Sequence, residues 1–164
     1  MSIPVFRFAL REDLKGDKRF LPTRATSRST GWDVRCATLN KKPITLRAGQ
    51  YVKIPLGFRM AAPVGWWLKL EPRSSSFAKK SLHCLYGTLD NDFFGSVLLA
   101  SQYIPDVNSL AKDLVIEFGE AIGQIIPFEL KEMRVEEITN EQLEDLCLVE
   151  NNERGTGGFG STSK

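Results

Sequence analysis

The sequence of 164 residues contains only three cysteines and one histidine. Cys36, Cys84 and Cys147 are odd in number and show no Cys-x-x-Cys spacing, so they indicate neither a disulfide framework nor a zinc site. The single histidine, His83, has no obvious catalytic partner among its neighbours in the sequence, which favours a structural role over catalysis. These features argue against a disulfide-rich secreted scaffold and favour a reducing, cytoplasmic location.

Long apolar runs and an excess of charge of one sign are also missing. No segment approaches the length of a membrane span, and the first residues lack the apolar core of a secretion signal. Lys and Arg number 22 against 20 Asp and Glu, which gives a formal net charge of +2. Such a balance argues against a membrane surface or a dedicated nucleic-acid partner. With 42% hydrophobic residues, the chain is expected to form a compact domain with a sizeable core.

Short runs of β-forming residues, separated by turn residues, dominate the sequence. We predict β-strands over residues 5–10, 31–37, 51–58, 66–71, 97–103, 113–118 and 121–129. This pattern is typical of an all-β sandwich or jelly roll. Residues 131–148 mix apolar and charged positions and predict at most one short helix, near 141–148. Trp66 and Trp67 are expected to add area to the core or to a subunit interface.

The last eleven residues, 154–164, carry phosphate-binding chemistry but no apolar pattern around which to fold. Glycines allow successive backbone N–H groups to point into one concavity, and Arg154 and several hydroxyls add donors for phosphate oxygens. Phe159 offers a ring face, so a nucleoside polyphosphate matches the segment. The alternatives are a disordered terminus and a sequence-tolerant contact with single-stranded nucleic acid. The nucleic-acid mode usually requires repeats and strong positive charge, which are missing here.

Three internal positions also suit nucleotide chemistry. Residues 87–95 place Asp90 after an apolar leucine, where a rigidly held carboxylate can orient a water; the alternative is a turn that caps its own backbone. Residues 72–76 line up a guanidinium with three hydroxyls, which suits phosphate, with a polar surface turn as the alternative. Asp33 is either an inward-facing acid at the start of a strand or a solvent-facing turn acid.

The order of these segments along the chain resembles the five motifs of the homotrimeric dUTPase family. The matching segments are Gly31-Trp32-Asp33-Val34, Pro72-Arg73-Ser74-Ser75, residues 87–93, residues 119–126 and the glycine-rich tail. The resemblance covers nearly the whole chain, and the tail and the Asp90 hairpin are its most specific parts. It implies a β-jelly-roll domain over residues 1–153, a flexible arm over 154–164 that closes over a neighbouring subunit's active site, and a homotrimer. It also implies Mg²⁺-dependent hydrolysis of dUTP to dUMP and pyrophosphate.

The resemblance further implies roles for individual residues. Asp90 is expected to orient the water that attacks the α-phosphorus and to contact the 3′-hydroxyl, and Asp33 to reach Mg²⁺ through water. Phe159 is expected to stack on uracil, and the Phe93 ring to pack on the deoxyribose and exclude a 2′-hydroxyl. Base recognition is assigned to Cys84 and to backbone groups of Gly87, Thr88, Leu89 and Leu98. The phosphates are assigned to Arg73, Ser74, Ser75, Gln124, Arg154, Gly160, Ser161 and Thr162.

Several positions depart from the family pattern. Phe93 stands where tyrosine is usual, Cys84 where asparagine is frequent, residues 75–76 where Gly-Leu is usual, and Ala121 where arginine is usual. Two alternative functions are a dCTP deaminase and a nucleotide-switched regulatory binding protein on the same scaffold. The intact tail and the Asp-x-Asp-Phe hairpin favour the hydrolase. Two long segments, 101–113 and 131–151, are candidate surfaces for a protein partner.

Overall fold

The computed structural model describes residues 3–109 and 112–149. The strands within these residues are β1 (Arg7–Leu10), β2 (Trp32–Arg35), β3 (Ile44–Leu46), β4 (Tyr51–Pro55), β5 (Phe58–Ala61), β6 (Trp66–Pro72), β7 (Leu82–Cys84), β8 (Gly87–Leu89), β9 (Leu98–Tyr103), β10 (Leu114–Ile116) and β11 (Ala121–Glu129). The helices are α1 (Ser74–Ala78) and α2 (Asn140–Val149), with 3₁₀ turns at Glu12–Leu14, Lys18–Phe20 and Val107–Ser109. All of these strands lie in one compact unit that ends at Lys131, and α2 lies in a second unit that begins at Glu132.

Two antiparallel sheets build the first unit. One has four strands in the order β2-β11-β6-β8, and the other has three in the order β4-β9-β7. The strand pairs β1-β5 and β10-β3 complete the unit. Side chains alternate between buried and more exposed along the strands, as period-2 geometry requires. One core cluster contains Leu68, Leu70 and Ile125 from the larger sheet together with Ile54 and Leu99 from the smaller one, so the two sheets enclose a shared apolar interior.

Most predicted strands are found, but residues 51–58 do not form a single strand. They divide at Gly57 into β4 and β5, which belong to different sheets. Gly57 has a φ of +77°, and a Cβ built there lies 2.5 Å from Leu14 Cδ1 and 2.7 Å from Ala37 Cβ. Any other residue would be strained at that φ and would displace packed atoms, so the prediction of one strand was wrong for a steric reason. The strands β3, β7 and β8, each of three residues, were not predicted.

The predicted helix is present, and its start has a sequence-coded cap. Thr139 Oγ1 accepts a hydrogen bond from the N–H of Gln142 at 3.2 Å, and the Gln142 side chain accepts one from the N–H of Thr139 at 2.8 Å. This reciprocal pair is a capping box, which fixes the first turn of α2. The structure also contains the short helix α1 at Ser74–Ala78, which the sequence pattern did not predict.

The tryptophan pair adds apolar contacts, as expected. Trp67 stacks on Phe128 with ring centroids 5.0 Å apart, and Trp66 packs edge-on against Phe6 at 6.2 Å. His83 also has an aromatic neighbour, since Phe77 meets it edge-on at 4.8 Å. Among the helices that the structure describes, none has the length and apolar character needed to cross a membrane.

Candidate active site

The larger sheet brings three of the predicted phosphate and metal residues together. On β11, Gln124 lies opposite Asp33 of β2 on one side and opposite Glu71 of β6 on the other. Arg73 follows the end of β6, and its backbone N–H donates to the carbonyl of Ile122 at 3.3 Å. The Arg73 Nε lies 3.4 Å from Asp33 Oδ1. Three sequence-distant motifs therefore converge at one end of the sheet.

The Gln124 side chain is positioned by two backbone neighbours. Its Nε2 donates to the carbonyl of Pro72 at 3.5 Å. Its Oε1 lies over Gly31, where a Cβ would come within 2.1 Å of that oxygen. Only the hydrogen of glycine leaves room for Gln124 in this position. The sequence motif Gly31-Trp32-Asp33 therefore contributes a carboxylate and also a close approach of the Gly31 backbone to the Gln124 side chain. The close approach was not predicted from the sequence.

The serines after Arg73 have different environments. Ser74 is exposed and Ser75 is half-buried, whereas Ser76 is only 2% exposed. Ser76 Oγ donates to the carbonyl of Ile122 at 2.7 Å, and its N–H donates to the carbonyl of Arg73 at 2.9 Å. The third serine is thus a structural anchor that ties α1 to β11 and leaves Ser74 and Ser75 free to meet a ligand. The sequence contained one indication of this structural role, because Ser76 stands where an apolar residue is usual.

Asp90 lies directly after β8, at the edge of the same sheet. Leu89 is buried, Asp90 is exposed, and the carbonyl of Asp90 accepts a hydrogen bond from the N–H of Phe93 at 3.1 Å. The Phe93 ring packs against Gly95: a Cβ at Gly95 would come within 2.7 Å of it. The hairpin therefore carries the carboxylate and the ring on a short turn that is closed by a backbone hydrogen bond.

Strand register places Asp90 far from the Arg73–Asp33 pair of the same chain. Leu89 lies opposite Leu68, so Asp90 is level with the start of β6, whereas Arg73 follows its end. By this register, Asp90 is level with the residue of β6 that stands six positions before Arg73. At the rise per residue of an extended strand, six residues span about 20 Å. A single chain therefore does not bring its predicted water-orienting acid to its predicted phosphate residues.

Cys84 lies in the other sheet and has partners within its own chain. Ser101 Oγ donates to Cys84 Sγ at 3.2 Å, and the thiol packs against the core cluster. Burial raises the pKa of the Cys84 thiol, which keeps it neutral. Leu98, which begins β9, is 43% exposed and lines a cavity of about 590 Å³ together with Lys53 and Arg59. That cavity contains none of the residues of the Arg73–Asp33–Gln124 group.

The remaining predicted residues are distributed as follows. Gly87, Thr88 and Leu89 form β8 and pair with Leu70, Lys69 and Leu68 of β6. Arg154, Phe159, Gly160, Ser161 and Thr162 lie outside the described residues, as does the predicted boundary at residue 153.

The donor set near Asp33 suits a cation that keeps most of its water. Within the part of the chain that the structure describes, no three His, Cys, Asp or Glu side chains are grouped to hold a metal. Asp33 is a single, largely buried carboxylate beside phosphate-type donors. Mg²⁺ is commonly bound in this way, through one or two carboxylates and the phosphates of a substrate. The residues present therefore fit a Mg²⁺ ion that arrives with a nucleotide.

Comparison with known proteins agrees with this arrangement. The dUTPase family model matches residues 17–163. The chain is 36% identical over 152 residues to a deoxyuridine 5′-triphosphate nucleotidohydrolase of Bartonella bacilliformis, covering 88% of this chain and 82% of the relative. It is 32% identical over 164 residues to that of Rickettsia akari, covering 99% of both chains. The chain therefore belongs to the dUTPase family, as its motif order indicated.

A solved structure confirms the expected jelly-roll fold. The Staphylococcus bacteriophage 80alpha dUTPase with dUPNHPP superimposes with a TM-score of 0.76, covering 98% of this chain and 99% of that one. At 19% identity, this likeness concerns the fold.

Proposed function

We propose that the protein is a homotrimeric dUTP diphosphatase that hydrolyses dUTP to dUMP and pyrophosphate with Mg²⁺. Family membership supports the substrate, and the convergence of Arg73, Asp33 and Gln124 supports the polyphosphate site. The alternative of a dCTP deaminase is weakened by the matches to deoxyuridine 5′-triphosphate nucleotidohydrolases over most of the chain.

The main support for an active site shared between subunits is the separation of Asp90 from Arg73 within one chain. A water attacking the α-phosphorus must lie within hydrogen-bond distance of its base, while the phosphates lie on the guanidinium. A span of about 20 Å within one chain prevents both contacts from being made at once. A ring of three identical chains with head-to-tail contacts supplies Asp90 of one subunit to Arg73 of another.

The phosphate residues are held ready for an anion. The Arg73–Asp33 pair is long at 3.4 Å and the Arg73 side chain is 36% exposed, so the attraction between them is weak. An incoming phosphate can therefore replace Asp33 as the partner of the Arg73 guanidinium at a small cost in free energy. The arginine fork binds two phosphate oxygens, while Gln124 and the hydroxyls of Ser74 and Ser75 supply further donors.

Asp33 is the residue that would hold Mg²⁺, through water molecules. When bound, the ion neutralises phosphate charge and orients the polyphosphate. Asp33 itself has two tasks in this proposal: it faces the Arg73 guanidinium before substrate binds, and it accepts hydrogen bonds from water afterwards. Its position on β2, which pairs with β11, keeps the carboxylate in register with Gln124.

Asp90 orients the attacking water and accepts its proton. The turn from Asp90 to Phe93 is closed by a backbone hydrogen bond, so the carboxylate projects from a defined position. Phe93 supplies a ring face for the deoxyribose. Backbone groups of Gly87, Thr88, Leu89 and Leu98 read the uracil edge. Cys84 is the last residue of β7, shortly before β8 in the chain, and its thiol accepts a hydrogen bond from Ser101.

The tail completes the site from another subunit. Arg154, Gly160, Ser161 and Thr162 contact the terminal phosphate and Phe159 stacks on uracil, so residues 154–164 form an arm separate from the domain of residues 1–153. Residues 101–113 and 131–151 remain candidate surfaces for a protein partner. The unpaired thiols of Cys36 and Cys84 support a reducing, cytoplasmic location.

A product assay tests the reaction. Incubation with Mg²⁺ and each of dUTP, dCTP and UTP is expected to give dUMP and pyrophosphate from dUTP and little product from the others. Deamination of dCTP would assign the protein to the other enzyme class, and the absence of turnover with all three nucleotides would overturn the proposed activity.

A complementation experiment tests the shared site. Arg73→Ala and Asp90→Asn should each be inactive alone, but co-expression should restore activity at about a quarter of the sites if the two residues come from different subunits. No recovery would show that they act within one chain. As a control, wild type co-expressed with the double variant should retain about half of its sites if one chain supplies both residues, and about a quarter if two chains do.

A further inference from the structure

Residues 24–32 form a closed loop on the strand that carries Asp33. At its base, the N–H of Asp33 donates to the carbonyl of Thr23 at 2.7 Å, and the N–H of Thr23 donates to the carbonyl of Asp33 at 3.2 Å. The pair of hydrogen bonds between Thr23 and Asp33 therefore fixes both ends of the loop. The carboxylate of the same Asp33 faces Arg73. We call residues 24–32 the arginine loop, because Arg24 and Arg28 are its charged residues.

The arginine loop is braced from within. The N–H of Ser29 donates to the carbonyl of Thr26 at 3.1 Å, and the Ser29 hydroxyl accepts from the N–H of Thr26 at 3.1 Å. Arg24 lies over the Trp32 ring, 4.8 Å from its centroid, and donates to the carbonyl of Ser27 at 3.1 Å. Arg24 thus stabilises the loop through a cation–π contact and a hydrogen bond.

Arg28 is in the same turn but has a different environment. It is exposed, and its guanidinium forms neither a salt bridge nor a hydrogen bond with any residue that the structure describes. By contrast, Arg73 faces Asp33, and Lys69 of the same sheet lies 2.6 Å from Glu71. Among the residues that the structure describes, Arg28 therefore has no carboxylate partner, although it lies near the proposed phosphate-binding residues.

Chain geometry keeps Arg28 close to the phosphate residues. It precedes Gly31 by three residues, and the backbone of Gly31 touches the Gln124 side chain. Consecutive α-carbons are separated by 3.8 Å, so those of Arg28 and Gly31 lie within about 11 Å of each other. An arginine side chain and a triphosphate together cover that span. A polyphosphate bound at Gln124 and Arg73 would therefore lie within reach of Arg28.

We propose that Arg28 is a further substrate-binding residue, which contacts the polyphosphate chain of the nucleotide beyond the α-phosphate. This assignment rests on the proposed function, because it takes the Arg73–Asp33–Gln124 group as the phosphate site. The chemistry is the usual one for arginine and phosphate: charge attraction combined with two parallel hydrogen bonds. Arg24 serves as the brace that keeps the turn in shape.

The test compares Arg28→Ala, Arg28→Lys and the matched control Arg47→Ala. Arg47 is also exposed but follows β3, which belongs to a different strand pair. Calorimetric affinities are measured for dUPNHPP and for dUMP with Mg²⁺, and KM and kcat are measured for dUTP. Arg28→Ala should weaken dUPNHPP binding and raise KM for dUTP about tenfold, as expected for one charged phosphate contact, with dUMP affinity and kcat nearly unchanged.

The remaining comparisons separate a ligand contact from a structural effect. Arg28→Lys should fall between wild type and Arg28→Ala, because it keeps the charge but not the fork. Arg47→Ala should match wild type, and the salt dependence of dUPNHPP binding should decrease only in Arg28→Ala. Unchanged dUPNHPP affinity in Arg28→Ala would overturn the assignment, and so would an equal loss of dUMP affinity, which would indicate a collapsed loop. A wild type that binds dUPNHPP through Arg28 yet fails to hydrolyse dUTP would overturn the proposed function alone.

Discussion

The side chain of Gln124 lies directly on the α-carbon of Gly31, so that a Cβ at position 31 would come within 2.1 Å of Gln124 Oε1 and 2.8 Å of Cδ. The contact links β11 to the residue that precedes β2. It places the amide of Gln124 between Asp33 and the end of β6, where the proposed phosphate-binding residues meet.

Replacing Gly31 with alanine should therefore displace Gln124. We expect Gly31→Ala to lower the free energy of unfolding by about 1–3 kcal/mol, the usual range for an added methyl in packed surroundings. It should also weaken dUPNHPP binding. Chemical denaturation and calorimetry measure the two effects. In Gly31→Ala/Gln124→Ala, the two closest contacts, with Gln124 Oε1 and Cδ, are absent, so the stability losses should be less than additive. Strict additivity would show that the two residues do not compete for this space.

Asp90→Asn should lower kcat while sparing nucleotide binding. The amide keeps the shape of the side chain but cannot accept a proton, and general-base contributions are typically about a hundredfold to ten-thousandfold. Because Asp90 is exposed, stability should change little. Single-turnover kinetics with dUTP measure the loss, and Asp92→Asn is the matched control in the same turn. Near-normal turnover in Asp90→Asn, or an equal loss in Asp92→Asn, would remove Asp90 from this role.

Phe93→Ala should reduce the preference for dUTP over UTP. The Phe93 ring is held against Gly95 and is 38% exposed, so it presents a fixed face beside the proposed sugar position. Its removal opens space for a 2′-hydroxyl, and the ratio of kcat/KM for dUTP and UTP should fall at least about tenfold. Phe94→Ala is the control, because Phe94 is more exposed at 59%. A ratio that stays constant in Phe93→Ala would contradict steric exclusion by this ring.

Cys36 should make stability depend on pH in the alkaline range. Burial raises the pKa of its thiol from 9.0 to about 11, and the side chain is fully buried. The folded chain therefore retains a proton that the unfolded chain loses above about pH 9, so this contribution is intact below pH 9 and declines towards pH 11. The slope approaches about 1.4 kcal/mol per pH unit at its steepest. Urea unfolding from pH 8 to 11 should show a shallower decline in Cys36→Ala than in wild type, and equal slopes would refute the linkage.

Much of the fold follows from sequence patterns, whereas the division at Gly57 does not. The run of β-forming residues at 121–129 predicts a strand, and its predicted bounds agree with those of β11 in the structure. At residues 51–58, by contrast, the apolar pattern continues through Gly57, and only tertiary packing against Leu14 and Ala37 shows why the chain turns. The strands β7 and β8 are fixed by pairing with β9 and β6 rather than by any local period.

The candidate site shows the same limit. The motif order brought Asp33, Arg73 and Gln124 into one prediction, and the sheet places them together. The anchoring role of Ser76 and the distance from Asp90 to Arg73 depend on strand register, which motif spacing along the chain does not encode. Roles assigned to the tail stay predictions, since residues 154–164 lie outside the described part of the chain.

The wide separation of Asp90 and Arg73 within one chain also ties catalysis to protein concentration. If their meeting requires two subunits, dilution below the dissociation constant of the assembly removes activity even while each chain stays folded. Specific activity should then fall on dilution before circular dichroism changes, and excess Asp90→Asn subunits that retain assembly would inhibit wild-type chains by mixing with them. In the proposed assembly, every active site would combine residues from several copies, so a defect in one copy would lower the activity of its neighbours.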